Sequence, residues 1–419
     1  MGQESDRSPL RIAVLGLGTV AQGVLQILQA NAGTLAARAG RRLQVTGIAS
    51  RRMRDEVELG DVPFSTDLGA LAVDSDVDVL VECIGGEQPA LELVEAALRA
   101  GKHVVTANKA LIALHGDRLH ALAAEHSALL AYEAAVAGGI PILGGLVTGL
   151  AANQTQWLAG IINGTSNFIL TAMAQDGQDF ATALAQAQEL GYAEADPTFD
   201  VEGIDAAHKL AILVALGFDT RFQFDQIFVE GISEVSAEDI EYAERLGYRI
   251  KHLGIARSRA DGVEARVHPA LVPQDQILAQ IDGVTNAVMV SGDAVGVTAY
   301  VGPGAGKLPT ASAVVADLVA LAAGTLPTRS AATQDVSILG IEQAVCPYYL
   351  RIPCLDEPGV FAKVATELSR CDISIESVIQ REQAVQVDAG RPWVPVVLVT
   401  HAVAEGALRD AVARIRALP

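Results

Sequence analysis

The chain has 419 residues, half of them hydrophobic, and a formal net charge of −20. Its length predicts two or three domains, and its acidic surface excludes binding to nucleic acid or to an anionic membrane. The four cysteines form no CxxC pair, which argues against a zinc site or a disulfide framework and indicates a reducing cytoplasm. The first residues lack the charged start and apolar core of a signal peptide.

Residues 1–139 alternate short β-rich runs with helical patterns. The β-rich runs are LRIAVLGLG, LQVTGIAS, VDVLVECIGG, HVVTAN and ALLAYEAAV, and helices such as TVAQGVLQILQAN and KALIALHGDRLHALAAEHS lie between them. Alternation of this kind predicts a parallel, doubly wound α/β sheet of the Rossmann type.

The run VLGLGTVAQGV follows the first predicted strand and opens the first predicted helix, which is where a dinucleotide fingerprint belongs. Gly16 permits the tight turn, and Gly18 lets the backbone approach a pyrophosphate. The helix N-terminus at Thr19 and Val20 offers N–H donors, and Ala21 replaces the third glycine of the motif. We therefore predict dinucleotide binding, with a glycine-rich turn of no function as the alternative.

The end of the second predicted strand bears on the choice of nicotinamide cofactor. An NAD site places an acidic residue there to bind the ribose hydroxyls, whereas this chain has Ser50, Arg51 and Arg52. A missing carboxylate and a present guanidinium favour a 2′-phosphate, which predicts NADP with Arg51 among its ligands. Use of NAD remains possible, and a solvated basic loop is the alternative interpretation.

Residues 140–342 show a less regular pattern, for which we predict an α+β domain for substrate binding, catalysis and dimerisation. The strand-like runs RIKHLGIARS and GVEARVHPALV indicate an open sheet, and an apolar helix over 306–324 is expected to pack back on the Rossmann domain. The uncharged residues 134–152 approach the length of a membrane span. Their five glycines and Pro141 instead favour a buried strand, a loop and a core helix.

An acidic stretch of this middle domain, GYAEADPTFDVEGIDAAHKLAIL, places five carboxylates before one lysine. Pro197 and Asp200 predict a turn and an N-cap, with a helix that begins near Val201. Asp205 and Lys209 then share one helix face, and the apolar residues beyond them predict a buried helix. A lysine at the edge of a core suits proton transfer, whereas an ordinary helix salt bridge is the alternative.

Asn108 and Lys109 follow the predicted strand HVVTAN, and strand carboxyl ends face the ligand crevice of an open α/β sheet. Two lysines are thereby expected near a nicotinamide. Hydride transfer to a carbonyl requires a proton for the forming alkoxide, which an ammonium group can deliver, while Glu194 and Asp205 suit a substrate ammonium. These residues predict a dehydrogenase of a small amino-acid alcohol or aldehyde. A redox or amino-acid sensor without turnover is the alternative from another class.

Seven runs, in order, resemble the homoserine dehydrogenase family along nearly the whole chain. They are GLGTVAQGV, VECIGG, TANKALIA, YEAAVAGGIPIL, INGTSNFIL, GYAEADPTFDVEGIDAAHKLAIL and YVGPGAGKLPTASAVVAD. The resemblance implies NAD(P)H-dependent reduction of L-aspartate 4-semialdehyde to L-homoserine, on the route to threonine, methionine and isoleucine. It also implies a homodimer, or a homotetramer, built through the middle domain.

The same resemblance assigns roles to individual residues. It makes Lys209 the proton donor and acceptor beside Asp205, and Lys109 a second active-site lysine that also touches the cofactor. The implied substrate ligands are Glu194, Asp205, Asn163, Thr165 and Asp200. The implied cofactor contacts are Thr19, Val20, Lys109, Gly191 and Gly306. The implied sodium ligands, for which backbone carbonyls suffice, are Glu133, Val136, Gly138 and Ile140.

Two features of the middle domain invite other interpretations. NGTSN, residues 163–167, matches a glycosylation sequon, but in a cytosolic enzyme it is expected to line the substrate pocket. His208 adjoins Lys209 on another face of the helix and is predicted to be a packed core histidine.

Residues 343–419 are predicted to form a small βαββα module that resembles an ACT domain. The matching pattern is YYLRI…DEPGVFAKVATELS…ISIESVIQ. The resemblance implies binding of an amino-acid effector, with threonine as the family expectation. A full module ends in a fourth strand that this pattern does not include. Either the sequence is truncated, therefore, or the sheet is completed by another segment.

Overall fold

The computed structural model describes residues 8–54, 60–327, 336–380, 386–388 and 391–418. Its first part is a parallel sheet with helices on both faces. The strands are β1 Leu10–Leu15, β2 Leu43–Ala49, β3 Phe64–Ser65, β4 Val79–Glu82, β5 His103–Thr106 and β6 Leu130–Ala131. The helices are α1 Thr19–Ala30, α2 Ala32–Ala39, α3 Leu68–Ala72, α4 Ala90–Arg99 and α5 Lys109–Glu125.

The strand order of this sheet is β3-β2-β1-β4-β5-β6, with every described pairing parallel. The order reverses between β1 and β4, and the crevice outside their carboxyl ends is where such sheets bind dinucleotides. The central strands β1 and β4 are short, mostly apolar and almost wholly buried, as expected for a parallel sheet covered by helices on both faces. The predicted Rossmann-type architecture is confirmed.

The uncharged segment 134–152 folds differently from the prediction. The preceding strand ends at Ala131, and the segment continues as a 3₁₀ turn over Glu133–Ala135, a short helix α6 Ile142–Gly144 and a π-helix over Gly145–Gly149. The predicted buried strand within it is therefore wrong, because its glycines and Pro141 favour tight turns over an extended chain. Among the described residues, no helix is long and apolar enough to cross a membrane.

The middle domain is built on a second, mixed sheet. Its strands are β7 Thr155–Ile161, β8 Phe228–Val229, β9 Tyr248–Arg259, β10 Gly262–Pro273, β11 Thr285–Gly292, β12 Gly296–Pro303 and β13 Ile338–Leu339. The order is β12-β11-β7-β9-β10-β13, and β8 also pairs with β10. The helices are α7 Gly164–Asp176, α8 Phe180–Glu189, α9 Thr198–Val201, α10 Ile204–Gly217, α11 Ala237–Arg245 and α12 Lys307–Ala323. This confirms the open α+β sheet.

Helix α12 belongs to the core of the Rossmann domain, although it follows β12 in the chain. Its apolar residues Val314 and Leu318 are buried in one cluster with Ile12 of β1 and Val24 of α1. Helices α1 and α12 approach closely at Gly23, where a Cβ would lie 2.5 Å from the carbonyl oxygen of Lys307. The expected packing of this helix against the nucleotide domain is observed.

The C-terminal module is a small antiparallel sheet with two helices. Its elements are β14 Val345–Cys346, β15 Tyr349–Leu355, α13 Val360–Arg370, β16 Ile375–Gln380, β17 Gln386–Asp388, β18 Arg391–Thr400, β19 Val403–Ala404 and α14 Glu405–Arg416. The main order is β15-β18-β16, which leaves β15 at an edge. In chain order, the elements β15, α13, β16, β18 and α14 give the predicted βαββα pattern. The edge strand faces α11, where Tyr349 and Arg351 bond Asp239 at 2.8 and 2.6 Å.

Candidate active site

Asp205 joins two lysines that are 100 residues apart in the chain. Its Oδ1 lies 2.9 Å from Nζ of Lys109, and its Oδ2 lies 2.7 Å from Nζ of Lys209. Asp205 is buried, and the side chains of Lys109 and Lys209 are 32% and 12% exposed. Lys209 also donates to the carbonyl oxygen of Ile162 at 2.8 Å. The site therefore holds two ammonium groups on one carboxylate at the edge of the core.

The sequence around β5 explains where Lys109 lies. Strand β5 ends at Thr106, and α5 begins at Lys109 with Asn108 as its N-cap. The Asn108 side chain accepts from the N–H of Leu111 at 3.2 Å and donates to the carbonyl oxygen of Gly86 at 2.6 Å. This capping places Lys109 at the carboxyl edge of the sheet, as the sequence predicts.

Helix α10 begins later than predicted. Residues Thr198–Val201 form the short helix α9, and α10 starts at Ile204 after Gly203, whose φ of +82° interrupts the helix. The predicted N-cap role of Asp200 is therefore wrong, because Asp200 lies inside α9. Asp196 stabilises the turn before α9 instead, because its carboxylate accepts a hydrogen bond from the N–H of Thr198 at 3.1 Å. The predicted pairing of Asp205 with Lys209 on one helix face is confirmed.

Asn163 links Asp205 to Asp200. As N-cap of α7, it accepts from the N–H of Ser166 through its side-chain oxygen. Its amide nitrogen donates to Asp200 and to Asp205, both at 2.8 Å. The hydroxyl of Thr165 donates to the carbonyl oxygen of Tyr192 at 2.7 Å. Three of the five predicted substrate ligands, Asn163, Asp200 and Asp205, thus lie in one hydrogen-bonded group. Thr165 bonds the adjacent segment between α8 and α10, residues 190–203, which we call the acidic loop.

The two carboxylates of this group differ in acidity. Burial alone would raise the pKa of Asp205, but the charges of Lys209 and Lys109 outweigh it and hold that pKa well below its usual range. Burial raises the pKa of Asp200, the hydrogen bond from Asn163 opposes this, and the charge of Asp205 adds to it. Asp205 is therefore a fixed anion that anchors both lysines.

Comparisons with known proteins identify the family to which the chain belongs. A family model described as "Homoserine dehydrogenase, NAD binding domain" matches residues 16–133, and one described as "Homoserine dehydrogenase" matches residues 141–319. A curated homoserine dehydrogenase of Pseudomonas aeruginosa is 51% identical over 98% of this chain and 96% of its own length. The chain belongs to the homoserine dehydrogenase family. It is accordingly an NAD(P)-dependent oxidoreductase.

Solved structures of homoserine dehydrogenases share the fold. The crystal structure of the enzyme from Thiobacillus denitrificans superposes with a TM-score of 0.92 at 47% identity, covering 98% of this chain and 95% of that one. A hyperthermophilic archaeal homoserine dehydrogenase in complex with NADPH superposes with a TM-score of 0.64 at 26% identity, covering 77% of this chain and all of that one.

The turn that is expected to bind dinucleotide follows β1. Gly16 has a φ of +93°, and a Cβ there would lie 2.6 Å from the carbonyl oxygen that follows β4, so only glycine fits. Gly18 is the N-cap of α1 and has open space where a side chain would be. Thr19 and Val20 are the first residues of α1, and Arg51 is exposed in the bend after β2. These positions fit a pyrophosphate at the helix N-terminus.

Three other residues implied by the family resemblance lie outside the Asp205 group. Gly191, with a φ of +74°, follows the end of α8. Glu194 is exposed, and in the described part of the chain its carboxylate makes no hydrogen bond or ion pair. Gly306, with a φ of +124°, is the N-cap of α12 beside the nucleotide domain. Their roles as ligands remain predictions.

The loop over residues 133–140, assigned to sodium by resemblance, is largely buried. Burial raises the pKa of the Glu133 carboxyl, although it accepts two backbone N–H groups of α6 at 2.8 and 2.7 Å. The carbonyl oxygens of Glu133 and Ile140 each accept one hydrogen bond. Across the described residues, those of Val136 and Gly138 accept no backbone hydrogen bond. Buried carbonyl oxygens of this kind suit a hard cation.

Sequence reasoning missed a row of aromatic rings beside the lysines. His208 is buried, which confirms the predicted packed histidine, and its ring stacks on that of Phe224 with centroids 4.3 Å apart. Phe199 lies against the other side of His208. The spacing of nine residues between Phe199 and His208 has no helical or strand period, because Gly203 separates their helices.

Proposed function

We propose that Lys209 transfers the proton in the reversible reduction of L-aspartate 4-semialdehyde to L-homoserine. The observation that carries this role is the bridging of Lys109 and Lys209 by the buried Asp205. When bound, the nicotinamide supplies the hydride to the aldehyde carbon or accepts it from homoserine. The aldehyde then becomes an alkoxide, which takes one proton from an ammonium group to give the alcohol.

The contacts of Lys209 support this role. An ammonium group has three N–H donors, and Asp205 and the carbonyl oxygen of Ile162 take two of them. Among the residues that the structure describes, one donor therefore remains for the substrate oxygen. Because Asp205 stays ionised, it holds Nζ of Lys209 in place both when the aldehyde is reduced and when homoserine is oxidised. Lys109, on the other carboxylate oxygen, adds positive charge where the alkoxide develops.

The acidic loop is proposed to bind the amino-acid end of the substrate. The carboxylates of Glu194 and Asp200 are the proposed ligands of the substrate ammonium group. Both oxygens of Asp205 already bond the lysines, so Asp205 contributes its negative charge to this site. Asn163 fixes Asp200 and Asp205 relative to each other, and Thr165 ties the loop to α7. This places polar recognition next to the proton donor.

The experiment that tests the reaction follows nicotinamide absorbance in purified protein mixed with NADPH and L-aspartate 4-semialdehyde. We expect NADPH to be consumed in proportion to semialdehyde, and homoserine plus NADP to give the reverse reaction. Absence of oxidation with both NADPH and NADH would contradict the proposal.

NADP is the proposed cofactor, with Arg51 as a ligand of its 2′-phosphate. The exposed position of Arg51 after β2 supports this, as does the absence of an acidic residue at Ser50. We expect Arg51→Ala to raise KM for NADPH about tenfold, in line with loss of a charge-assisted phosphate contact, and to leave KM for NADH nearly unchanged. Steady-state kinetics with both cofactors measures this, and equal losses would refute the assignment.

A monovalent cation, sodium by family resemblance, is proposed for the loop over residues 133–140. The carbonyl oxygens of Val136 and Gly138 support it, because they face no backbone donor among the described residues. Gly138 lies against the turn before α12, where a Cβ would be 2.5 Å from the carbonyl oxygen of Gly304. A cation there would join this loop to the start of α12 and would serve structure.

A homodimer through the middle domain is proposed for the assembly, with a homotetramer as the larger form. Strand β12 is the edge of the second sheet, and Val297 and Val301 on it are 53% and 51% exposed. An open edge with an outward apolar row is a surface that pairs with another chain. A second copy of β12 is the proposed partner.

The C-terminal module is proposed to bind an amino-acid effector, threonine by family resemblance to ACT domains. Its support is the contact between β15 and α11, in which Arg351 lies 2.6 Å from Asp239 and 3.2 Å from Glu238. A change in the module can reach the middle domain through this contact. We also propose a cytoplasmic setting, in keeping with the free cysteines.

A further inference from the structure

Three rings form a row that ends at Lys109. Phe224 lies in a 3₁₀ turn over Phe224–Gln226 and packs against a cluster of buried apolar residues that includes Leu210 of α10. The ring of His208 stacks on it at 4.3 Å between centroids, with an angle of 27° between the planes. The ring of Phe199 lies 5.5 Å from that of His208, with an angle of 37°. The row thus connects the core to the acidic loop.

The last ring of the row faces an ammonium group. Nζ of Lys109 lies 5.5 Å from the centroid of the Phe199 ring, within the range of a cation–π interaction. Asp205 is the other partner of this ammonium, at 2.9 Å. Lys109 is therefore held from two sides, by a charge and by an aromatic face, although a third of its side chain is exposed.

His208 supports Phe199 as an uncharged ring. It is buried, and its Nδ1 has no hydrogen-bond partner in the part of the chain that the structure describes. Burial, with the charge of Lys109, lowers the pKa of His208 to about 4, and Asp205 opposes this. An uncharged imidazole can stack between two phenylalanine rings without repelling the ammonium group beyond them.

We propose that Phe199 and His208 are positioning residues, which hold the Lys109 ammonium in its place beside Asp205 through the row of rings. The inference rests on the proposed active-site role of Lys109. Phe199 belongs to the loop expected to bind substrate, while His208 immediately precedes Lys209. One row of side chains therefore connects the acidic loop, Lys109 and helix α10, which carries Lys209.

The test is a double-mutant cycle between Phe199→Leu and Lys109→Met, with kcat, KM and Tm measured for each. Leucine keeps apolar volume but has no ring face, so Phe199→Leu should lower kcat about 3- to 5-fold, as expected for a lost cation–π interaction at an exposed ring. In the Lys109→Met background the same change should have an effect of less than twofold. Phe361→Leu, on α13 of the C-terminal module, is the matched control and should keep wild-type kcat.

A second pair of variants tests His208 through the conservative replacement. His208→Ala should lower kcat by a factor similar to that of Phe199→Leu, because the ring between Phe199 and Phe224 is lost. His208→Phe should restore kcat to within about twofold, because stacking needs an aromatic ring and not an imidazole nitrogen. Failure of His208→Phe to restore kcat, in a variant with wild-type Tm, would overturn the positioning role.

The outcomes of the cycle separate two failures. If Lys109→Met has wild-type kinetics, the proposed function of Lys109 fails, and the inference fails with it. If Lys109→Met is impaired while Phe199→Leu has wild-type kinetics, the inference alone is overturned. Equal effects of Phe199→Leu with and without Lys109 would show that the ring acts independently of Lys109, which also overturns the positioning role.

Discussion

Replacing Lys209 by alanine should lower kcat by about 10³-fold, the size expected for loss of a general acid. In the folded protein Lys209 is the ammonium that Asp205 and the carbonyl oxygen of Ile162 fix at the end of the acidic loop. Without it, the alkoxide has no positioned proton donor. NADPH binding should change little, because the predicted dinucleotide contacts lie elsewhere. Stopped-flow kinetics and NADPH fluorescence titration measure the two quantities.

The matched control for this variant is Lys363→Ala. Lys363 is exposed on α13 of the C-terminal module, and its loss should leave both kcat and NADPH affinity unchanged. A Lys209→Ala enzyme with near-normal kcat would refute the assigned role. Loss of NADPH binding in parallel with kcat would instead indicate that Lys209 acts through the cofactor site.

Asp205→Asn should impair both activity and stability. The carboxylate is buried between Lys109 and Lys209, and its removal leaves two ammonium groups close together without a shared anion. We expect kcat to fall about 10²-fold, because the donor is no longer held in place. Breaking a buried pair of this kind should reduce the free energy of unfolding by about 3 kcal/mol. Urea unfolding at pH 7 measures the second effect.

The stability difference should depend on pH in a defined direction. Because the pKa of Asp205 is lower in the folded than in the unfolded protein, its stabilising contribution is complete above the unfolded pKa of about 3.9 and declines as pH falls below it. The advantage of wild type over Asp205→Asn should therefore be constant from pH 8 to about 5 and shrink in more acidic buffer. A difference that grows on acidification would contradict the assignment.

Asp282→Asn is the matched control for this carboxylate. Asp282 also joins two cations, Lys251 at 2.9 Å and Arg249 at 3.2 Å, but outside the Asp205 group. It should lower the unfolding free energy and leave kcat within about twofold of wild type. This comparison separates the loss of an ion pair from the loss of a positioned lysine.

The Rossmann architecture can be predicted from the sequence because each of its elements is specified by residues close together in the chain. Strand β1, the glycine turn and α1 follow one another within 21 residues, and each is specified by its own apolar pattern or backbone requirement. The pairing of Asp205 with Lys209 is local for the same reason, since helix geometry brings residues four apart together. The sequence predicts the start of α10 too early, because Asp200 has the side chain of an N-cap whereas the helix is interrupted at Gly203.

The remaining parts of the site depend on contacts between distant segments. Nothing in the local pattern of α7 indicates that the amide of Asn163 bonds two carboxylates some 40 residues later. Lys109 approaches Asp205 only because the Rossmann domain packs against the middle domain. The three aromatic rings come together only because α9, α10 and the turn at Phe224 pack against one another. Composition and hydrophobic periodicity predict single helices and strands. They do not predict which distant segments come into contact, so these parts of the site could not be predicted from the sequence.

The packing of α12 against α1 has a consequence for engineering the cofactor preference. Residues 1–139 do not form a complete unit, because Val314 and Leu318 supply part of the core that covers β1. A chimera that exchanges only the N-terminal segment between two enzymes would join mismatched surfaces at Gly23 and Lys307. A transplant that also carries residues 306–324 would keep the interface intact. The transferable module is thus discontinuous, because its second segment, residues 306–324, lies within the middle domain.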